Sequence, residues 1–254
     1  MSDPEPSTPV IARGLGKRFG AVTAVDAIDF TVERGQVAGL LGGNGAGKTT
    51  TMSMLMGIVI PSMGEARIFG HDVAKRDPRA LARINFSSPY VEMPGRLTVF
   101  ENLEIYARLF GVRRPADRIR ALARDLDLES FMHRMTRTLS AGQKSRSALA
   151  KSLINEPELL LLDEPTASLD PDTADWIRRY LQDYQAQTGA AILLASHNMP
   201  EVERMCGDVL IMRAGRIVDR GAPAALVARH GRKTLEEVFL DIARGTSNGG
   251  GAAS

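Results

Sequence analysis

A glycine-rich segment constrains the fold of this chain more than any other feature of its sequence. Residues 42–49, GGNGAGKT, fit the pattern G-x-x-x-x-G-K-[ST]. The segment directly follows the apolar run VAGLL at 37–41 and precedes a helix-compatible stretch that begins at Thr50. A strand, a glycine-rich loop and a helix in this order predict a loop that binds phosphate with its backbone amides at the helix N-terminus.

The individual residues of this loop have separate predicted roles. The glycines permit close backbone approach, and the amides from Asn44 to Thr49 encircle the β-phosphate. Lys48 bridges the β- and γ-phosphates, and the Thr49 hydroxyl ligates magnesium. The alternative is an incidental glycine-rich turn. A chance match to the motif directly after an apolar strand is rare, so this alternative is disfavoured. The predicted nucleotide-binding residues here are Gly42, Asn44, Gly45, Ala46, Gly47, Lys48, Thr49 and Thr50.

Other apolar runs predict an α/β core around this loop. ELLLLD at 158–163 and AAILLAS at 190–196 are continuous apolar runs, typical of strands in a parallel sheet covered on both faces. The segment 209–221, VLIMRAGRIVDRG, reads as two strands about the Ala214-Gly215 turn. Between 100 and 155 apolar residues recur at helical spacing, which predicts a helical insertion, and Leu235, Val238, Phe239 and Ile242 mark one face of a last helix.

Composition narrows the class of protein. With 32 Lys and Arg against 30 Asp and Glu, the net charge of +2 gives no electrostatic footprint for nucleic acid. The single cysteine, Cys206, cannot form an internal disulfide, and this suits the cytosol. The N-terminus has no signal-peptide pattern, and no apolar run approaches the ~18 residues of a membrane span. A membrane role therefore requires a partner, and the low-complexity tails at 1–7 and 245–254 are expected to be disordered.

Two adjacent carboxylates follow the second apolar run. Four leucines at 159–162 bring Asp163 and Glu164 to the end of a buried strand, where ligands bind in open α/β sheets. One carboxylate can hold magnesium through water, and its neighbour can polarise an attacking water. Taken alone, this pattern is better explained by an ordinary strand end.

Two further stretches give the carboxylates a context. LSAGQKSRSALAKSLINEP at 139–157 lies just before LLLLDEPTASLDP at 159–171, and together they resemble the signature, Walker B and D-loop block of ATP-binding cassette (ABC) ATPases. His197 in LLASHNM matches the switch histidine of that family. The resemblance covers residues 8–243. It implies one two-lobed cassette, in which a P-loop core is joined by an antiparallel β region, from the first ~35 residues and about 61–72, and by a helical subdomain at about 90–155.

The resemblance also implies roles for residues outside the loop. Phe19 would stack on adenine, Asp163 would support magnesium, Glu164 would be the general base and His197 would contact the γ-phosphate. In the family the signature motif completes the ATP site of a second copy, so two cassettes close head to tail around two nucleotides. The signature residues carried over in this way are Ser140, Ala141, Gly142 and Gln143.

The function implied is ATP hydrolysis that powers transport through a separate integral membrane permease. The cassette would lie on the inner face of the cell membrane, bound to that permease. VEMPGRLTVFENLEIYARLFGV and TLEEVFLDIARG are similar to cassettes that export drugs, lipids or polysaccharides, which favours export. The first alternative is a soluble ABC ATPase that acts on ribosomes or nucleic acid. A second alternative, a P-loop small-molecule kinase, would leave LSAGQ and His197 unexplained.

The sequence departs from the family pattern at two places. Ala141 replaces the first glycine of LSGGQ, which is tolerable where the backbone φ is negative. INFSSPYVEMPGRLTVFENL at 84–103 lacks the glutamine of the family's Q-loop, and Pro89 or Ser88 stands at its position. We therefore expect Ser88 or Glu92 to take over the role of that glutamine.

Overall fold

A computed structural model describes residues 8–88, 91–167 and 169–244 of the chain. The two predicted disordered tails, 1–7 and 245–254, and Pro89 lie outside the described residues. The strands are β1 Val10–Phe19, β2 Val22–Val32, β3 Val37–Leu41, β4 Met63–Ile68, β5 His71–Asp72, β6 Ile84–Ser87, β7 Leu159–Asp163, β8 Ala191–Ser196, β9 Asp208–Arg213 and β10 Arg216–Gly221. The helices are α1 Lys48–Leu55, α2 Pro78–Leu81, α3 Val99–Leu109, α4 Pro115–Asp125, α5 Ala141–Ser152, α6 Pro171–Thr188, α7 Met199–Met205, α8 Pro223–Arg229 and α9 Leu235–Arg244.

A six-stranded sheet in the order β10-β9-β3-β8-β7-β6 forms the centre of the fold. The strands β9, β3, β8, β7 and β6 pair in parallel, and β10 adds to the edge as the antiparallel partner of β9. Along β7, Leu160 and Leu162 pack into one core cluster while Leu159 and Leu161 pack into the other. Both faces of the sheet are covered, so its inner strands β3, β7 and β8 are apolar almost throughout, and the predicted α/β core is confirmed.

The predicted antiparallel region is confirmed as a second sheet in the order β2-β1-β4-β5. Its buried residues, including Leu15, Phe30 and Ile68, share a core with Met52 of α1 and with Leu40 of β3. This sheet therefore covers the face of the central sheet that also carries α1.

The other face of the central sheet is covered by helices. Leu103 of α3, Leu122 of α4 and Leu149 of α5 belong to one core with Ile177 of α6 and Val238 of α9. The helices α3 to α5 follow β6 and precede β7, so the long segment between these two strands is helical. None of the helices in the described ranges has the length and apolar character that a membrane crossing requires.

Two local features differ from the sequence expectation. Helix α1 begins at Lys48, two residues before Thr50, because Gly47 takes a left-handed backbone (φ 106°) and its carbonyl accepts the Thr51 amide at 2.9 Å. Strand β6 was not predicted, because Asn85 interrupts its short apolar pattern. The Asn85 amide is satisfied inside the fold by Asn155 Oδ1 at 2.7 Å and by the Lys151 carbonyl at 3.2 Å.

Candidate nucleotide-binding and hydrolysis site

The loop after β3 is shaped by glycines that have no room for a side chain. A Cβ on Gly42 would lie 2.7 Å from the Met212 carbonyl oxygen, and one on Gly47 would lie 2.6 Å from the Ala24 carbonyl oxygen. The Gly215 amide donates to the Ala46 carbonyl at 3.1 Å and holds the loop against the turn between β9 and β10. The loop is therefore fixed from two sides.

Lys48 lies buried at the start of α1 and points back across the loop. Its Nζ donates to the carbonyls of Gly42 at 2.5 Å and Gly43 at 3.2 Å. Burial lowers the pKa of the Lys48 ammonium, while the charges of Glu164 and Asp163 act in the opposite direction. A phosphate group entering the loop would meet a cation that the protein has already partly removed from water.

Thr49 and Asp163 meet at the carboxyl end of the sheet. The Thr49 hydroxyl donates to Asp163 Oδ2 at 3.3 Å. Burial raises the pKa of Asp163, and the hydrogen bond from Thr49 partly opposes that shift. A hydroxyl and a carboxylate beside a phosphate site are the hard oxygen donors that suit Mg²⁺, which commonly binds through one or two carboxylates and substrate phosphates. The two residues fit the predicted magnesium role.

Glu164 follows Asp163 in an unusual backbone conformation. Its φ of 52° lies in the left-handed region, and its amide donates to the Ala195 carbonyl of β8 at 2.8 Å. The side chain is buried, and its Oε1 lies 2.6 Å from Nδ1 of the exposed His197 ring. The two predicted catalytic residues are thus in direct contact.

Sequence reasoning missed a polar network behind Glu164. The Ser196 hydroxyl lies 2.8 Å from Glu201 Oε2 and 3.3 Å from Glu164 Oε2. The Thr166 hydroxyl donates to Glu201 Oε1 at 2.5 Å. Glu201 lies on α7, in the stretch after His197, but a glutamate in a short helix gives no signal in the sequence that its side chain turns inward.

Phe19 lies at the end of β1, on the hairpin whose second strand borders the loop. The ring is half exposed, and the Lys17 ammonium lies 5.0 Å from its centroid. Val25 and Ala24 of the same hairpin flank Gly47. The position next to the loop and the exposed face of the ring are compatible with stacking on a base.

The signature residues lie apart from the loop. Ser140 caps α5, since its hydroxyl accepts the Gln143 amide at 3.3 Å and the Gln143 side chain accepts the Ser140 amide at 3.1 Å. Ala141 begins α5 with a helical backbone and a φ that is not positive, so its methyl group is accommodated. Ser140, Ala141, Gly142 and Gln143 line an open cavity of about 480 Å³ whose lining contains Asp170 and Thr173 but none of residues 42–49.

The two candidates for the Q-loop role lie in different environments. Ser87 of β6 pairs with Leu162 of β7, which places the buried Ser88 next to the level of Asp163 at the edge of the sheet. Glu92 is exposed and its Oε1 lies 3.4 Å from Lys144 Nζ on α5. Ser88, Glu92 and Lys144 all line one cavity of about 410 Å³, which also contacts Ala141 and Ala167.

The fold and this site define a P-loop nucleotide-binding domain. A glycine-rich loop, a buried lysine and two carboxylates converge at the carboxyl edge of a parallel sheet, where such sheets bind their ligands. Comparison with known proteins places the chain more narrowly. The family model described as "ABC transporter" matches residues 25–167. The chain belongs to the ABC transporter family, as an ATP-binding subunit with ATPase activity.

Individual relatives agree with this assignment. The Nod factor export ATP-binding protein I of Ralstonia nicotianae is 39% identical over 240 residues, which cover 92% of this chain and 74% of that protein. A probable multidrug ABC transporter ATP-binding protein of Escherichia coli is 32% identical, over 92% of this chain and 42% of its own length. The solved structure of an ATP-binding subunit of an ABC transporter superposes with a TM-score of 0.85 at 26% identity, over 93% of this chain and 100% of that one.

Proposed function

We propose that two copies of this cassette close head to tail, hydrolyse ATP with Mg²⁺ and power export through a separate membrane permease. The observation that carries the proposal is the convergence of Lys48, Thr49, Asp163 and Glu164 at one edge of the central sheet. Each of these side chains has a distinct use in phosphoryl transfer, and this supports ATP hydrolysis at this edge of the sheet.

The reaction follows from the placement of these groups. The loop amides and Lys48 hold the β- and γ-phosphates and neutralise charge that develops on the γ-phosphate. Glu164 orients a water for in-line attack and accepts its proton, and His197, 2.6 Å from Glu164 Oε1, fixes that carboxylate. Phe19 holds the adenine, which completes the alignment of the nucleotide.

Thr49 and Asp163 are the residues that would hold the metal ion. Mg²⁺ held there would supply positive charge that offsets the negative charge of the phosphates met by the attacking water. The burial of Asp163 keeps competing water away from this carboxylate.

The separation of the signature from the loop supports a dimer. Ser140, Ala141, Gly142 and Gln143 face an open cavity of their own, so one chain presents two half-sites on different parts of its surface. A second copy turned by a two-fold axis would bring each signature to the other copy's loop, which is the self-complementary arrangement typical of homodimers. ATP then bridges the copies through its γ-phosphate, and hydrolysis removes the bridging group.

The partner and the direction of transport rest on the relatives. One relative is named a Nod factor export ATP-binding protein and another a probable multidrug ABC transporter ATP-binding protein, and the first of these favours export for this chain. The helical subdomain at about 90–155 is the surface on which a cytoplasmic part of the permease would dock. The cassette would then lie peripherally on the inner face of the membrane, and the net charge of +2 favours a protein partner over nucleic acid.

The deciding experiment is a pull-down of tagged Glu164→Gln protein from detergent-solubilised native membranes with ATP present. The variant should retain ATP binding, lose turnover and hold the dimer closed. We expect a multi-spanning membrane protein to co-purify in comparable amount. Recovery of ribosomes or nucleic acid instead would favour the soluble ABC ATPase over the transporter subunit. A variant that stays monomeric in ATP would refute the head-to-tail dimer.

Ser88 is the better candidate for the role of the missing glutamine. It lies at the sheet edge next to Asp163, whereas Glu92 faces Lys144. The Ser88→Ala, Glu92→Ala double variant should hydrolyse ATP more slowly than the wild type, and Ser88→Ala alone should account for most of the loss. Unchanged hydrolysis in the double variant would remove both residues from this role.

A further inference from the structure

A further buried carboxylate, Glu201, lies behind the general base Glu164 and has no role in the proposed reaction. Glu201 is 2% exposed, and its two oxygens face the hydroxyls of Thr166 and Ser196. Because a carboxylate that faces only hydroxyl donors is an acceptor, these contacts suit its ionised form. Thr166 belongs to the segment after Glu164, and Ser196 ends β8, so Glu201 joins the two segments that carry the base and His197.

The Ser196 hydroxyl lies between the carboxylates of Glu164 and Glu201 and can donate one hydrogen bond. Its hydroxyl oxygen lies 2.8 Å from Glu201 Oε2 and 3.3 Å from Glu164 Oε2. A serine hydroxyl donates one hydrogen bond, so it can serve only one of these oxygens at a time. The Asn198 amide donates to the same hydroxyl oxygen at 3.1 Å and uses one of its lone pairs. The shorter distance directs the proton to Glu201.

The direction of this proton matters because it affects how basic Glu164 is. Its Oε1 is already in contact with His197 Nδ1 at 2.6 Å, and a donation from Ser196 would place a further hydrogen bond on Oε2. A hydrogen bond to a carboxylate stabilises its charged form and makes it a weaker base. If Ser196 donated to Oε2, Glu164 would therefore accept a proton from water less readily.

The surroundings of Glu201 bear on its charge. Burial raises the pKa of Glu201, and hydrogen bonds from Thr166 and Ser196 oppose that shift. Arg178 on α6 attracts the carboxylate, Glu164 repels it, and the thiol of Cys206 at the end of α7 also interacts with it. A neutral Glu201 would attract the Ser196 proton less than a charged one, which favours donation to Glu164.

We propose that Glu201 is a positioning residue for hydrolysis: by accepting the one proton of the Ser196 hydroxyl, it keeps that hydrogen bond off Glu164 Oε2, so that Glu164 remains the stronger base towards the attacking water. The role rests on the assignment of Glu164 as general base in the proposed function. It extends that function by a residue that acts on Glu164 through the Ser196 hydroxyl.

The test is a double-mutant cycle with Glu201→Gln and Ser196→Ala, read as ATP hydrolysis in the full chain. Glutamine keeps the shape of the side chain and removes its charge, so it competes less strongly for the Ser196 proton, and donation to the ionised Glu164 becomes favoured. We expect kcat to fall about tenfold, the rate equivalent of one ordinary hydrogen bond, with KM unchanged. In the Ser196→Ala background the shared proton is gone, and adding Glu201→Gln should lower kcat less than about twofold.

Glu203→Gln is the matched control, because Glu203 lies on the same helix, is exposed, and its Oε1 accepts the Leu235 amide instead. This control should keep wild-type kcat. A wild-type kcat for Glu201→Gln, or a tenfold loss that persists undiminished without the Ser196 hydroxyl, would overturn the proposal. ATP binding and thermal unfolding of each variant separate these results from a loss of fold.

The outcomes also separate this inference from the proposed function. If Glu164→Gln still hydrolyses ATP, the general-base assignment itself is wrong. If Glu164→Gln is inactive while Glu201→Gln is unaffected, only the role of Glu201 is wrong.

Discussion

The four glycines of the phosphate loop give a stability prediction in which two physical effects are separated. An added Cβ can clash with a neighbour, or it can be strained by a positive φ. Gly43 meets nothing within 4 Å and has no positive φ, so it shows neither effect. Gly45 has φ 75° in open space, Gly42 would contact the Met212 carbonyl oxygen at 2.7 Å without positive φ, and Gly47 combines φ 106° with the 2.6 Å contact to Ala24 O.

The expected magnitudes follow from these geometries. Gly43→Ala should change the free energy of unfolding by less than about 0.5 kcal/mol. Gly45→Ala should destabilise by about 1 kcal/mol, because left-handed strain is partly offset by the lower entropy of the unfolded chain. Gly42→Ala should lose about 1–3 kcal/mol, the usual result of overpacking against backbone. Gly47→Ala should lose roughly 3 kcal/mol, which corresponds to a fall in Tm of roughly 6–12 °C.

The assay is thermal and denaturant unfolding of the four alanine variants without nucleotide, so that lost ATP binding does not enter the comparison. The four glycines lie within six residues, which makes each variant a control for the others. A Gly43→Ala variant as unstable as Gly47→Ala would refute the reasoning, since both added methyl groups would then act through something other than the clash and strain described.

Three further predictions concern regions away from the loop. The hydrogen bond from Arg83, with a second from Arg34, lowers the pKa of Glu158 below its ordinary 4.5, so this carboxylate stabilises the fold above that pH. The Tm difference between wild type and Glu158→Gln should therefore shrink as pH falls below about 4.5, and a constant difference would contradict the assignment. Burial raises the pKa of Cys206 to about 12, so iodoacetamide at pH 8 should label the native protein roughly a thousandfold more slowly than the unfolded chain. Thr98 and Glu101 form a capping box on α3, and Thr98→Ala should lower the free energy of unfolding by about 1 kcal/mol in a urea titration.

Much of the fold was predictable because its signals are local. VAGLL became β3 at the predicted residues, since a strand covered on both faces needs an unbroken apolar run. The Ala214-Gly215 turn between β9 and β10 was likewise predictable from the sequence. In the structure both residues adopt the positive φ that a two-residue hairpin turn requires. The resemblance to ABC ATPases then named the site residues that periodicity alone does not distinguish from strand ends.

Other features depend on contacts between distant parts of the chain. Strand β6 has only four residues of mixed character, so its sequence does not predict a strand. Its Asn85 is satisfied by partners that lie about 70 positions away in the chain. Glu201 reads as an exposed residue of a short helix, and only the packing of α7 against β8 turns it towards Ser196. The contact between His197 and Glu164 is of the same kind, since it joins the residues that directly follow β7 and β8.

Three of the residues that depart from ordinary folding preferences lie near one another in the site. Glu164 adopts a left-handed backbone without being glycine, Lys48 is a buried cation, and Glu201 is a buried carboxylate that faces hydroxyls. Burial of an ionised group carries a large desolvation penalty, which two hydroxyl partners offset less fully than an ion pair does. A core selected for stability alone would place apolar residues at these positions. Their concentration at the edge shared by β3, β7 and β8 argues that this edge is kept for chemistry, and it places Glu201 within the same functional unit as Glu164.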